Sequence, residues 1–261
     1  MVSRIHLLAA ALLVVLLGAC TTTDPRTSAE FTAAQAAPAR LAGRTILLLP
    51  ADIECGQVTA GGLVQPNAAW TATAEANVMA ALERSFAGRG ATLVTYDPAG
   101  VAADRAVLHD RVLKLNEAVG GSIFFLQDVL PTKRAVFEWS VGEGARHLGD
   151  DFDADYALFV FLRDTHASAG LVGMNVLKSS VGSRLPLPLS ILGLLTGDVD
   201  HHTGRPGMTS GIQVGFAQLV DLETGNVVWF NKLSDTSAGA DLRTAPKAGE
   251  AVDALLRGCP I

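Results

Sequence analysis

The run Ala154 to Arg163 (Ala-Asp-Tyr-Ala-Leu-Phe-Val-Phe-Leu-Arg) constrains the fold more than any other part of the chain. From Ala157 to Leu162 it is apolar without a break, so a strand here has no face to give to water. Such a strand lies centrally in a sheet covered on both sides, and the flanking sequence must supply the covering helices. It does. Arg44-Thr-Ile-Leu-Leu-Leu-Pro50 reads as a second buried strand, followed by a loop containing Cys55 and Gly61-Gly62. Pro66 introduces a helix to about Ala87, with Trp70, Ala74, Val78, Ala81, Leu82 and Phe86 near helical spacing and Gly88 and Gly90 as stops. Ala91 to Tyr96 is a strand, and Ala102 to Val119 a helix carrying Leu108, Val112, Leu115 and Val119 on one stripe. Ile123 to Leu130 fits helix or strand, and Arg134 to Leu148 reads as a helix with Phe137, Val141 and Leu148 on one side. Ile212 to Asp221 and Val227 to Leu233 form a hairpin whose Gly225 suits a positive φ. A last helix spans about Lys247 to Arg257. The order specifies an α/β fold: a small mixed sheet with helices packed on it, one domain with an apolar insertion at about 168–210.

The N-terminus carries an address. Arg4 precedes an apolar run from Leu7 to Leu17, and Leu17-Gly18-Ala19-Cys20 closes it. The layout is that of a secretory signal with a cysteine directly after the small-residue cleavage site. It resembles the lipobox of bacterial lipoproteins. That resemblance implies removal of residues 1–19 and acylation of Cys20 on its sulfur and its new amine, by palmitate-type chains. Several acyl chains on one residue make a stable membrane anchor, where one chain is marginal. Thr21, rather than an aspartate, follows Cys20, so the outer membrane is the default destination. Residues 20–43, rich in Thr, Ala, Pro and Ser, read as a flexible tether, and 44–261 as the periplasmic body.

Net charge is −6 with no Lys/Arg block, which argues against nucleic acid as a partner. With Cys20 acylated, Cys55 and Cys259 remain, and outside the cytoplasm two such cysteines read as a disulfide. A bridge over so long a loop would stabilise by about 3–5 kcal/mol in the chain-entropy model.

Two stretches carry a further likeness. Asp153-Ala-Asp-Tyr-Ala-Leu-Phe-Val160 and Gly215-Phe-Ala-Gln-Leu-Val-Asp-Leu-Glu-Thr-Gly-Asn-Val-Val-Trp229 resemble the recurring pattern of a group of envelope lipoproteins. In that group an Ala-Asp-Tyr strand precedes Leu-Val-Asp-x-x-Thr-Gly-x-x-x-Trp. The group includes the curli secretion channel lipoprotein and the lipoprotein activators of penicillin-binding proteins, with a fold like the N-terminal domain of TolB. The resemblance implies a periplasmic domain that binds other proteins or oligomerises, with no catalytic residues to carry over.

Candidate sites are few. Asp198-Val-Asp-His-His202 is the one dense group of metal-ligand types, with His201 and His202 as weak candidates, since adjacent imidazoles point apart in a strand. His166 with Asp164 offers a base without a placed nucleophile, and Cys55 followed by Gly56 a nucleophile without a base. No phosphate loop or Gly-x-Ser-x-Gly elbow is present, and no cofactor is implied. The uncharged run Pro186 to Leu195 places Leu187, Leu189, Ile191, Leu192, Leu194 and Leu195 as candidates for partner or membrane contact. The expectation is a lipid-anchored, non-enzymatic periplasmic protein assisting an envelope complex through protein contacts. The alternatives are a subunit of an outer-membrane secretion channel, which would be a homo-oligomer, and, remotely, a metal-dependent enzyme.

Overall fold

The computed structural model describes residues 21–23, 25–28, 43–59, 63–87, 90–168, 212–235 and 240–260. The fold is mixed α/β. Among the described residues the strands are β1 (Thr21–Thr23), β2 (Arg26–Thr27), β3 (Thr45–Leu48), β4 (Asp52–Val58), β5 (Val64–Pro66), β6 (Thr92–Thr95), β7 (Tyr156–Ala167), β8 (Gln213–Asp221) and β9 (Val227–Asp235). The helices are α1 (Ala68–Phe86), α2 (Ala103–Leu126), α3 (Pro131–Arg134), α4 (Arg146–Phe152) and α5 (Ala245–Leu255). All nine strands form one open sheet.

The doubly apolar strand is central. β7 pairs antiparallel with β8 along one edge, and its other edge carries two strands end to end. β3 runs parallel to its first half and β4 parallel to its second half, with Pro50 at the break between them. Cys55 therefore lies in a strand opposite Asp164, not in the loop the sequence suggests. β6 extends the sheet beside β3, β5 folds back on β4, and β9 lies outside β8.

Alternation sorts the side chains into two cores. Ile46, Leu48, Leu158, Val160, Leu162, Leu219 and Trp229 face α1 and α5. Leu47, Phe159, Phe216, Val220 and Phe230 face α2 and α4. Trp229 and Phe230 thus point to opposite faces, and both are buried. α1 starts where Asn67 accepts the Trp70 N–H at 3.1 Å, a side-chain N-cap.

Three further local expectations are corrected. The second helix does not stop at Val119 but runs to Leu126, absorbing the start of the ambiguous Ile123–Leu130 stretch. Gly120 there is a close-approach residue: a Cβ on it would lie 2.4 Å from the Phe216 ring, so its missing side chain lets α2 settle on β8. The helix expected over Arg134 to Leu148 is absent. The chain runs from α3 through a bridge between Ser140 and Asn226, then turns at Gly142 (φ +82°) before α4. Phe137, Val141 and Leu148 still share one core, because Val141 N–H donates to Gly225 O at 2.8 Å and lays the segment along the hairpin turn.

The third correction concerns residues 21–27. Thr21–Thr23 and Arg26–Thr27 pair antiparallel with β9, so these residues belong to the sheet and are not part of a loose tether. Ser28 N–H donates to Val228 O at 3.1 Å, and Arg26 Nη2 meets Asp128 Oδ1 at 2.7 Å. Asp128 also binds Lys232 Nζ at 2.9 Å, so one carboxylate ties the N-terminal segment to β9.

Candidate functional site

Strand alternation puts Asp164 and His166 on the same face of β7, near its C-terminal end, and the register sets Cys55 of β4 beside Asp164. The loop before α5 brings Asp241, Leu242 and Arg243 over them. His166 Nε2 lies 3.0 Å from Asp164 Oδ2 and 3.6 Å from Asp241 Oδ1. Asp164, almost wholly buried, also accepts the Leu242 N–H at 2.8 Å. Arg243 grips Asp241 with two parallel bonds, Nε to Oδ1 at 2.8 Å and Nη2 to Oδ2 at 2.9 Å. Its guanidinium sits 4.4 Å from the centre of the Trp70 ring, whose edge-on contact with His166 closes the cluster.

Burial works to raise the Asp241 carboxyl, but the Arg243 hydrogen bonds and charge outweigh it and hold the group below its ordinary value. Arg243 is raised in turn, chiefly by the same bonds. Burial, helped by the Asp164 charge, pushes the Cys55 thiol up to about 12. It is therefore a thiol and not a thiolate at neutral pH, and the nucleophile reading of Cys55 fails on physical grounds. Asp164, His166 and Asp241 each offer a ligand atom, all within 4.8 Å of one another. Both carboxylates already have strong donors, Leu242 N–H on one and Arg243 on the other. In this arrangement the cluster clamps the loop before α5 onto the sheet.

A second polar cluster lies under α2. His109 is fully buried, with Nε2 2.9 Å from Asp151 Oδ2 and Nδ1 3.4 Å from Tyr96 Oη. Arg105 binds Asp151 through Nε and Nη2, both at 2.9 Å, and reaches His147 Nδ1 at 2.9 Å. Those Arg105 bonds lower the Asp151 carboxyl. Arg105, Asp151, Asp97 and Phe152 line a cleft of about 470 Å³. Arg105 and Asp151 neutralise each other there, Asp97 accepts the Ala99 N–H at 2.9 Å, and the network joins α2 to α4.

Of the residues singled out in the sequence, Cys20, His201, His202 and the run Leu187, Leu189, Ile191, Leu192, Leu194 and Leu195 lie outside the described residues. Cys55 and Cys259 are both buried in one hydrophobic cluster, and no disulfide joins them. Topology keeps them apart. Cys259 follows α5, whose end is held on β9 by Asn231 Nδ2 donating to Ala254 O and Leu255 O at 2.9 and 2.8 Å. Cys55 is on β4, three strands away in the order β9-β8-β7-β4. Three strand spacings are roughly 14 Å, against a Cα separation below about 7 Å for a bridge. Sequence reasoning reached Asp164 and His166 but not Asp241, Arg243 or Trp70. The signal available was Asp-x-His at the end of a strand, which requires both side chains on one face.

No protein-family model and no curated protein matches the chain. Among solved structures it is similar to the PelC dodecamer from Paraburkholderia phytofirmans, at 11% identity over 90% of this chain and 94% of that one, with a TM-score of 0.37. It is also similar to the LpoB C-terminal domain from Salmonella enterica, at 14% identity over 78% of this chain and 90% of that one, with a TM-score of 0.26.

Proposed function

We propose that this chain is a lipid-anchored, non-catalytic envelope protein. Acyl chains on Cys20 hold it to the outer membrane, and it assembles or regulates a cell-envelope complex through protein contacts. One observation carries the contact reading: an exposed apolar turn at the end of α2. Phe125 and Val129 are 72% and 63% exposed, with Leu126 and Val136 beside them in the chain. Apolar side chains grouped in solvent mark contact surfaces. The turn is also held firm. Gln127, buried beneath it, donates to Lys133 O and accepts from Trp139 Nε1 at 2.6 Å. The saturated Asp241–Arg243 pair and the protonated Cys55 thiol support a structural role for the polar groups near β7.

The test is photo-crosslinking in intact cells from Phe125 and Val129, with exposed Glu117 on the same helix as control. Light scattering on the detergent-solubilised lipidated protein accompanies it. Adducts to a second envelope protein, with a small particle mass, support the proposal. Adducts only to copies of itself in a large ring replace it with the channel-subunit reading. Yields no higher than at Glu117 remove the contact surface altogether.

A further inference from the structure

We infer that the end of the sheet formed by Thr21, Val58, Ala167 and Asp235 faces the bilayer, and that the Leu63–Val64 tip of the β4–β5 hairpin touches lipid. The inference rests on the anchor at Cys20 proposed above and adds an orientation to it.

Register places these residues together. Thr21 pairs with Asp235, Asp235 with Gln213, and Gln213 with Asp164. On the far side of β7, Val58 pairs with Ala167 and Val64 with Val58. Four strands and the hairpin thus finish at one end of the sheet. β7 also ends and β8 begins at this end. Cys20 immediately precedes Thr21, so the acyl chains attach where β1 begins, with no spacer between.

That geometry differs physically from a leash. A flexible chain from Cys20 to Gly43 would span roughly 25–30 Å root-mean-square and leave the body free to tumble. Here Arg26 is bound to Asp128, Ser28 is buried, and a Cβ on Gly258 would sit 3.1 Å from Pro25. The segment is seated on β9 and against the C-terminal turn.

The two ends of the sheet also differ in character. No charged residue occurs from Cys55 to Ala74, a stretch that includes the paired part of the hairpin, Gly56–Val58 with Val64–Pro66. Leu63 is 70% and Val64 50% exposed at its tip, where Thr59 N–H donates to Leu63 O at 2.9 Å and fixes the turn. Asp241 and Arg243, near this end, neutralise each other, which leaves Asp235 at the end of β9 as the carboxylate of this edge away from the hairpin. The opposite end carries Asp153 and Glu223 exposed and Asp221 half-buried, with Asp155 paired to Arg44 and Arg146 bound to the Glu223 carbonyl, which leaves it net acidic. An uncharged apolar tip beside an acyl anchor suits the bilayer interface, and an acidic rim does not.

The test uses full-length lipidated protein in phosphatidylethanolamine/phosphatidylglycerol vesicles. Leu63→Cys and Thr224→Cys are labelled separately with a polarity-sensitive dye in a Cys259→Ser background, the native Cys55 being a buried thiol that stays unlabelled. Thr224 lies in the turn at the far end, and β7, 12 residues long, separates the ends by roughly 40 Å at about 3.3 Å per residue. Quenching by spin-labelled lipid is expected to be several-fold stronger at position 63 than at 224. Equal quenching, or stronger quenching at 224, in protein that floats with the vesicles overturns the orientation while leaving the anchor standing. A wild-type mass without acyl chains, or Cys20→Ala protein that floats as well as wild type, sinks the anchor itself and the orientation with it.

Discussion

Gly225→Ala should be among the most damaging single-methyl changes in this chain, and the structure says by how much. Gly225 closes the β8–β9 turn at φ +73°. An alanine in that left-handed region costs about 1–2 kcal/mol from conformation alone. Its Cβ would also lie 2.1 Å from Gly142 O, a backbone atom that cannot rotate aside. To clear it, the Ser140–Gly142 segment must retreat by about an ångström. That motion breaks the bonds that Val141 N–H and Ser140 Oγ donate to Gly225 O, at 2.8 and 2.9 Å. Each contributes about 1 kcal/mol net, so the whole comes to roughly 3–4 kcal/mol. Gly43 supplies the control: its φ is +77° and a Cβ on it would meet nothing within 4 Å, so Gly43→Ala carries the conformational cost only. Urea unfolding of the Cys20→Ala mature protein measures both. At a slope of about 2–3 kcal/mol per molar, Gly225→Ala should lower the midpoint by about 1 M more than Gly43→Ala. Equal costs, within about 0.5 kcal/mol, would show that the turn does not seat against Gly142 and would refute the packing argument.

Further outcomes are expected from other parts of the fold. Phe216→Ala should cost about 3–5 kcal/mol, because its ring stacks on Phe161 and Phe230 at 5.0 and 5.3 Å and fills the gap over Gly120; thermal unfolding reads it. Asp164→Ala, which orphans the Leu242 N–H and removes the Asp164–His166 contact, should cost about 2–4 kcal/mol and speed amide exchange at Leu242. Asp128→Asn should loosen the N-terminal segment with a stability loss under about 1 kcal/mol, the pair being half-exposed, and show as faster exchange at Thr21–Ser28. Bonding from Lys232, aided by the Arg26 charge, holds the Asp128 carboxyl below its ordinary value. The clamp is therefore fully present above about pH 4 and is lost as pH falls below that, so the protection factor at Thr21–Ser28, exchange divided out by its intrinsic pH-dependent rate, should drop at pH 3 and stay flat between 5 and 8. Peptide mapping without reductant should yield no crosslinked Cys55–Cys259 peptide.

The sheet was legible because its side chains declare themselves by period. Ala157 to Leu162 has no polar face, and Trp229 and Phe230 follow one another into opposite cores, as a strand buried on both sides requires. What stayed hidden depended on contacts distant in sequence. The second helix reads as ending at Val119 until Phe216 is placed beneath Gly120. Thr21 to Thr27 looks like linker because its composition is polar and its partner strand lies some two hundred residues on. Asp241 joins Asp164 and His166 only after α5 has docked. A disulfide between Cys55 and Cys259 satisfies the count of cysteines and fails on strand order, a quantity that cysteine spacing does not encode.

The residues that carry the likeness to envelope lipoproteins are all spent on folding. In Ala-Asp-Tyr, Asp155 accepts Thr45 N–H at 2.8 Å and Arg44 Nη1 at 2.6 Å, fastening the start of β3 to β7. In Leu-Val-Asp-x-x-Thr-Gly, Asp221 Oδ1 accepts from Glu223 N–H, Thr224 N–H and Thr224 Oγ1 at 2.9–3.0 Å, and Gly225 supplies the left-handed residue. Trp229 is fully buried core. A motif whose every member closes a turn, joins two strands or fills a core reports architecture, and architecture is shared across unrelated tasks. The function proposed above therefore draws on residues outside the motif: Cys20, which Thr21 follows, and the exposed apolar turn after α2. Substituting Phe125 and Val129 together by serine separates the two kinds of residue. Being exposed, these side chains should leave the unfolding midpoint within about 0.5 kcal/mol of wild type, while crosslinking to the partner falls away. A loss of stability comparable to that of Gly225→Ala would place the turn with the core and remove it as a contact surface.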